Sequence, residues 1–156
     1  MREFDAVGFG AWVREQARDI DLADRRRNRR FNSMLITMAR GVQRGTVNSM
    51  FRTSAESKAV YRLLDNEDVT FDAVLKPHRA ATQRAAGAAR SVLVIEDTTT
   101  LDFTTHEAAV GLGFVGNGGQ RGFLLHTALA VEVVGEAADG ELATVPVGIH
   151  SSRIWV

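Results

Sequence analysis

The chain has no cysteine and no long apolar run, and these absences narrow the classes of protein it can represent. Because none of its 156 residues is cysteine, the chain has neither a disulfide framework nor a cysteine-rich zinc site. No run of about 18 apolar residues is present, so no segment is predicted to span a membrane. The first residues include acids and lack the apolar core of a signal peptide. The sequence therefore predicts a cytoplasmic protein without a membrane partner.

The chain also lacks a net charge, but its charges are unevenly distributed. Residues 1–62 hold 13 Lys and Arg against 7 Asp and Glu, whereas the remaining residues hold 6 against 12. The two parts therefore carry net charges of +6 and −6. A basic N-terminal part is typical of a region that meets polyanions such as nucleic acids. Charge alone does not distinguish this function from a chance asymmetry in a soluble protein.

Hydrophobic spacing and capping residues predict four helices in the first part of the chain. The second helix follows an N-cap at Asp24, and the third follows Thr53, which forms a capping-box pattern with Glu56. The first predicted helix contains Trp12, and the fourth begins near Thr70. The apolar positions of the second helix recur at spacings of three and four: Phe31, Met34, Leu35 and Met38.

After residue 90 the pattern changes to apolar runs that are typical of strands. The predicted strands are residues 92–95, 123–134 and 143–156. Six glycines between Gly111 and Gly122 predict a loop between strands, with a turn at Asn117–Gly118. They do not predict a dinucleotide-binding turn, since no helix follows them. The order of the elements predicts an α+β fold in which an antiparallel meander of three strands follows the helices.

The segment DRRRNRR brings five arginines into two helical turns: Arg25, Arg26, Arg27, Arg29 and Arg30. Clustered like charges repel one another, and only Asp21 and Asp24 lie near enough in sequence to neutralise them. Each guanidinium can contact a phosphate or read guanine in the major groove. The alternative is a solvated helix face, but the pattern favours nucleic acid.

The stretch SVLVIEDTTTLDF suggests a second kind of site, because its apolar strand runs into two adjacent carboxylates. Glu96 or Asp97 at a strand end can bind a divalent metal through oxygen. Two-metal nuclease chemistry needs two or three such carboxylates from different elements. By pattern alone, an acid pair at a strand end is usually structural. His126 and His150, each within a predicted strand, are assigned to packing rather than to a metal.

Four segments together resemble one family: LADRRRNRR, ESKAVYRLLDNEDV, VLVIEDTTTLDF and GLGFVGNGGQRGFLLHTALAV. In this order and spacing, the chain is similar to the N-terminal part of the DDE transposases of bacterial insertion sequences, the Tn-five type within the insertion-sequence-four superfamily. The resemblance implies a helical DNA-binding domain over residues 1–66. Over residues 67–156 it implies a connecting helix and the first three antiparallel strands of an incomplete ribonuclease-H-like catalytic core.

The resemblance also implies roles for individual residues. Asp97 matches the first of the family's three metal-binding acids, which implies a catalytic role with Mg²⁺ or Mn²⁺. The other two acids lie beyond the third strand in the family, so the chain is expected to be truncated and inactive alone. The implied partners are double-stranded DNA of transposon end repeats, a second copy of the chain, and full-length transposase. The positions that match the family's contacts to transposon-end DNA are Arg26, Arg27, Arg30 and Arg62.

Three functions remain open at this point. The first is the N-terminal region of a transposase, from a family that cleaves DNA and transfers strands during transposition. The second is a non-catalytic DNA-binding regulator that competes with full-length transposase for its ends. The third is a helical interaction protein without DNA binding. Salt-dependent DNA affinity separates the first two from the third, and metal-dependent nicking separates the first from the second.

Overall fold

Helices precede strands in the part of the chain that the structure describes. The computed structural model describes residues 6–41, 45–136 and 140–156, with side chains from residue 10 onward. The chain divides into two compact units, Met1–Ala81 and Thr82–Val156. Within the described ranges the elements are α1 (Ala6–Gln16), α2 (Arg25–Arg40), α3 (Val47–Met50), α4 (Ser54–Leu64), α5 (Phe71–Ala88), β1 (Val92–Asp102), β2 (Gly113–Val115), β3 (Gln120–Glu136) and β4 (Leu142–Trp155).

No helix in the described part of the chain combines the length and the apolar character needed to cross a bilayer.

The turn before α2 fixes where this helix begins. The Asp24 carboxylate accepts hydrogen bonds from the backbone N–H groups of Arg26 and Arg27 at 2.7 and 3.0 Å, which satisfies two donors that the helix itself leaves unpaired. Oδ1 of Asn28 accepts from the Leu22 N–H at 2.8 Å and ties the turn to the first helical turn. The N-cap predicted at Asp24 is therefore confirmed.

Two capping boxes lie between α2 and the body of α4. The Thr53 hydroxyl accepts from the Glu56 N–H, and the Glu56 carboxylate accepts from the Thr53 N–H, each at 3.2 Å. This is the box predicted from the sequence. The second box joins Thr46 and Ser49 and begins α3, a four-residue helix that was not predicted because it is too short to show apolar periodicity.

The helical unit is held together by apolar residues of α2, α4 and the segment after α1. Phe31 and Val60 are each 3% exposed and face this core. The partly buried Leu35 and Met38 pack against it, so the apolar stripe predicted for the second helix is confirmed. The fully buried members are Ala17, Ile20, Leu22, Phe31, Met34, Val60 and Leu63.

Strand β3 is the centre of an antiparallel sheet. It pairs with β1 on one side and with β4 on the other, while the short β2 pairs with its first residues. The three long strands therefore follow the predicted meander order. Together with the preceding helices they make the fold α+β, as expected. Assignment of this sheet to a ribonuclease-H-like core stays a prediction.

Two features of the sheet differ from the sequence prediction. Strand β1 runs to Asp102 instead of ending at Ile95, because Thr98, Thr99 and Thr100 continue the pairing with β3; threonine is β-branched and suits a strand. Inside the glycine-rich segment, the short strand β2 was not predicted, but it pairs with β3 around the turn predicted at Asn117–Gly118. Its turn spans residues 116–119, and the glycines at both ends have positive φ.

Both faces of β1 are exposed. Leu93 and Ile95 on one face are 42% and 54% exposed, and Val94 on the other face is 50% exposed. Within the described part of the chain, β1 pairs with β3 alone. Its outer edge therefore presents backbone N–H and C=O groups without strand partners.

Candidate nucleic-acid interface

The arginines of DRRRNRR lie in the first turn and a half of α2, on more than one side of the helix. Because residues four apart share a helix face, Arg26 and Arg30 lie on one side, and Arg25 and Arg29 lie on the neighbouring side. All four are exposed, whereas Arg27 is partly buried. The helix therefore exposes four of these guanidiniums to solvent and holds that of Arg27 partly against the protein.

Arg30 lines a groove of about 160 Å³ between α2 and α4. On the α4 side the groove is lined by Glu56, Ala59 and Val60. Arg62 is exposed and lies one helical turn beyond Ala59, and Arg26 lies one turn before Arg30. Arg30, and Arg26 one turn before it, therefore lie on the side of α2 that faces α4. Arg62 lies on α4, one turn beyond the residues that line the groove.

Arg27 has partners within the helical unit. Its Nη1 donates a hydrogen bond to Asn66 Oδ1 at 2.7 Å and forms an ion pair with the Asp68 carboxylate. Asn66 Oδ1 also accepts from the Asp68 N–H at 3.2 Å. The guanidinium therefore joins the first turn of α2 to the turn after α4. A contact of Arg27 with a phosphate would exchange the Asp68 carboxylate for that phosphate.

Asp68 was not predicted as a neutralising acid, because it lies 41 positions after Arg27 in the chain. The acid that is close, Asp24, serves the backbone instead. Hydrogen bonds from the N–H groups of Arg27 and Arg26 hold the pKa of Asp24 below its usual range. Among the described residues, Arg27 is the one arginine of the segment in an ion pair. The others keep a positive charge that phosphates can neutralise.

Asp97 lies in the middle of β1 rather than at a strand end. It is exposed and pairs with Thr127 of β3, which pairs in turn with Ser152 of β4. The hydroxyl oxygens of Thr127 and Ser152 are 3.3 Å apart. Glu96 lies on the opposite face, because successive strand residues alternate between faces. The structure therefore brings one carboxylate and two hydroxyl groups together across this face of the sheet.

These donors include one charged ligand, which is too few to hold Mg²⁺ or Mn²⁺ tightly. Among residues 10–41, 45–136 and 140–156, no three His, Asp or Glu side chains come close enough together to hold a metal ion. A hard divalent cation prefers several oxygen ligands that include charged carboxylates. The catalytic and metal-binding roles of Asp97 stay predictions, and no reaction step is derived from them.

Asp102 of β1 and His126 of β3 have structural partners within the sheet unit. Asp102, the last residue of β1, accepts hydrogen bonds from the hydroxyl and the backbone N–H of Thr104, and these bonds lower its pKa. Thr104 Oγ1 accepts in turn from the Arg121 N–H at 2.9 Å. His126 Nδ1 lies 2.8 Å from Thr98 Oγ1, which agrees with a packing role for this histidine. Asp102 therefore fixes the end of β1 against β3.

One comparison with known proteins bears on the helical part of the chain. Residues 10–69 match the family model described as transposase DNA-binding. The match includes α2, α4, the five arginines of DRRRNRR and Arg62, and it ends before α5 begins. Asp97 and the sheet lie outside it. The helical region is thus similar to a transposase DNA-binding domain, which supports a DNA-binding N-terminal region of a transposase and DNA as its partner.

Proposed function

We propose that the helical unit binds double-stranded DNA at the end repeats of a bacterial insertion sequence of the Tn-five type. Arg26, Arg30 and Arg62 make the contacts, and Arg27 joins them when it releases Asp68. One observation carries the proposal. Within a region that matches a transposase DNA-binding domain, these three exposed arginines form no ion pair with any described residue.

The chemistry of the contact follows from the guanidinium group. Its planar fork of N–H donors matches the two oxygens of a phosphate or the O6 and N7 atoms of guanine. Phosphate contacts set the position of a protein on the duplex, and base contacts supply the specificity. Helix α2 is fixed at its start by the Asp24 cap and packed by Phe31, so its arginines project from a rigid element.

For the sheet we propose the first three strands of a ribonuclease-H-like core of the DDE class. The support is the meander order of the long strands and the position of Asp97 on β1 beside the central strand. In this proposal Asp97 is the first metal-binding acid, and Mg²⁺ or Mn²⁺ is the metal. A second copy of the chain or a full-length transposase is the proposed protein partner.

The proposal on DNA binding is tested by measuring the affinity of the purified chain for two duplexes at fixed salt. One duplex carries the terminal repeat of the element that encodes the chain, and the other is a scrambled duplex of the same length. Replacement of Arg30 by Ala is expected to cost about 1–3 kcal/mol of binding free energy if Arg30 reads a base. Unchanged affinity in a folded variant with Arg26, Arg30 and Arg62 all replaced by Gln would exclude this surface.

A further inference from the structure

A second basic groove lies on the other side of α2. It has a volume of about 490 Å³ and is formed by the end of α1, the residues just after it, and α2. Arg29 lines this groove, whereas the adjacent Arg30 lines the groove toward α4. The groove lining combines cationic and neutral hydrogen-bonding groups with two apolar residues: Arg14, Ala17, Arg18, Arg29, Asn32, Ser33 and Ile36.

Two guanidinium groups converge beside this groove, over Gly10 of α1. A Cβ placed on Gly10 would lie 3.6 Å from Nη1 of Arg14 and 4.0 Å from Nη2 of Arg40. Arg40 follows Arg29 by 11 residues, which is three helical turns, so both project from the same side of α2. The absence of a side chain at Gly10 leaves room for the two cations to approach each other.

Carboxylates do not compensate these cations. In the part of the chain that the structure describes, Arg14, Arg29 and Arg40 form no ion pair. The acid beside the groove is Glu15, which is 2.9 Å from the guanidinium of Arg18. Three exposed guanidiniums therefore remain without a counter-charge, and two of them are held close together against their mutual repulsion. Such an arrangement is stabilised when an anion lies between the cations.

We propose that this groove, with the arginine pair over Gly10, binds the phosphate backbone of the duplex whose end is contacted by Arg26, Arg30 and Arg62. The proposal rests on the proposed function and adds a second contact that does not depend on sequence. At 1.5 Å per residue, Arg29 and Arg40 lie about 16 Å apart along the helix axis. Measured along the duplex axis, that distance corresponds to about five base-pair steps of B-DNA at 3.4 Å per step. The row formed by Arg29 and Arg40 along α2 therefore fits an extended polyanion better than a single small anion.

The first test changes the charge at the arginine pair without removing an arginine. In the Gly10→Asp variant a carboxylate lies between Arg14 and Arg40 and takes the place of the phosphate. The Gly10→Asn variant has the same shape without the charge and is the matched control. Gly10→Asp is expected to weaken binding to the terminal-repeat duplex and to the scrambled duplex by the same factor. Gly10→Asn should bind several-fold more tightly than Gly10→Asp.

The second test measures the salt dependence of binding. Each phosphate contact contributes about 0.9 to the slope of log K against log salt concentration. Replacement of Arg14, Arg29 and Arg40 by Gln is expected to reduce this slope by about 2 to 3 on both duplexes. Replacement of Arg90, Arg121 and Arg153 by Gln removes the same charge from exposed positions of the other unit. This control should leave the slope near the wild-type value.

The outcomes separate this inference from the proposed function. A wild-type slope in the Arg14/Arg29/Arg40 variant, or an equal loss in the Arg90/Arg121/Arg153 control, would overturn the groove as a backbone site. If Arg26/Arg30/Arg62→Gln still lost affinity for the terminal repeat, the proposed function would remain. A wild-type chain that bound neither duplex would contradict both. If the triple variant did not fold by circular dichroism, equal affinities of Gly10→Asp and Gly10→Asn would still overturn the inference.

Discussion

The guanidinium of Arg27 and the carboxylate of Asp68 form an ion pair across 41 positions of sequence. This contact joins the first turn of α2 to the turn that follows α4, with Asn66 as a further acceptor. Arg27 is one of the four arginines assigned to DNA by resemblance. In the structure it already has an anionic partner, so DNA has to compete with Asp68 for it.

Replacement of Asp68 by Asn is therefore expected to release Arg27 for DNA. The variant should bind the terminal-repeat duplex more tightly than wild type in a fluorescence anisotropy titration. Because the Asp68 side chain is 55% exposed, loss of the ion pair is expected to lower the free energy of unfolding by less than about 1 kcal/mol. Tighter binding should disappear in the double variant that also carries Arg27→Gln; weaker binding by Asp68→Asn alone would contradict the competition.

Acid is expected to weaken the start of α2. The backbone N–H groups of Arg27 and Arg26 lower the pKa of Asp24 in the folded chain. A folded pKa below the unfolded one means that the cap stabilises the chain above the unfolded pKa, and that this stability is lost as the pH falls through the folded pKa. Thermal unfolding followed by circular dichroism between neutral pH and about pH 2 measures the loss.

The matched control for this pH dependence is Asp24→Asn. Asparagine is an N-cap about as good as aspartate but does not titrate. The variant should lose less stability than wild type over the same acid range, because it lacks the titrating cap. Some loss should remain in both proteins, because Asp102, whose pKa is lowered by Thr104, still titrates. Parallel stability curves for wild type and Asp24→Asn would mean that the cap contributes nothing to the acid response.

The starts of α2 and α4 were predictable from the sequence, because each depends on a capping side chain that is close by in the chain. Asp24 and the Thr53–Glu56 box act within four residues, so their sequence pattern is sufficient to place the helix starts. The ion pair of Arg27 with Asp68 was not predictable, because it depends on how α2 and α4 pack. The groove beside Arg14 and Arg40 was missed for the same reason. A list of arginines along the chain does not reveal which of them converge in space.

The sheet was predicted in outline and missed in extent. Apolar runs identified the three long strands, but the first predicted strand stopped at residue 95, where the apolar run ends, and so excluded Thr98, Thr99 and Thr100. Their pairing with β3 continues β1, and Asp97 is therefore a mid-strand residue. The strand β2 has only three residues inside a glycine-rich segment, and so short an element carries no detectable period.

Gly122 is expected to tolerate no side chain. A Cβ at this position would lie 1.9 Å from the carbonyl oxygen of Leu101, so Gly122→Ala has to separate β1 from β3. We expect a loss of about 1–3 kcal/mol in the free energy of unfolding, as for other overpacked sites. Gly87→Ala in α5 is the control, since nothing lies within 4 Å of its Cβ and alanine favours a helix by up to about 1 kcal/mol. Equal stabilities of the two variants in urea titrations would refute the close approach.

The exposed strand β1 is expected to make the chain associate. Its apolar residues Leu93, Val94 and Ile95 are exposed, and its outer edge has no strand partner in the described part of the chain. Light scattering of the purified chain should show a mass that rises with concentration. Ile95→Lys should reduce this association, because a charged residue on an edge strand opposes pairing. Thr99→Lys adds the same charge on the same face and should reduce the association less, because it leaves Ile95 in place. A stable monomer at all concentrations would contradict the expected association and would show that the sheet needs no further packing partner.

Asp97 is expected to bind a divalent metal ion weakly. The carboxylate of Asp97 shares its face of the sheet with the hydroxyls of Thr127 and Ser152, so we expect weak binding of Mn²⁺ there. Asp97→Asn should abolish this binding in a titration followed by electron paramagnetic resonance. Glu96→Gln should leave it unchanged, because Glu96 lies on the opposite face. Equal loss in both variants would mean that the two carboxylates act together at a distorted point of β1.

Weak binding at Asp97 is not expected to support DNA cleavage. A two-metal mechanism holds both the attacking and the leaving oxygen of the phosphodiester, and one carboxylate supplies too few charged ligands for two divalent ions. Incubation of the chain with terminal-repeat DNA and Mg²⁺ or Mn²⁺ should therefore leave the duplex intact, as should the Asp97→Asn variant. Nicking that requires the metal and disappears in Asp97→Asn would contradict this expectation. It would mean that another acid, from this chain or from a second copy, joins Asp97 when DNA is bound.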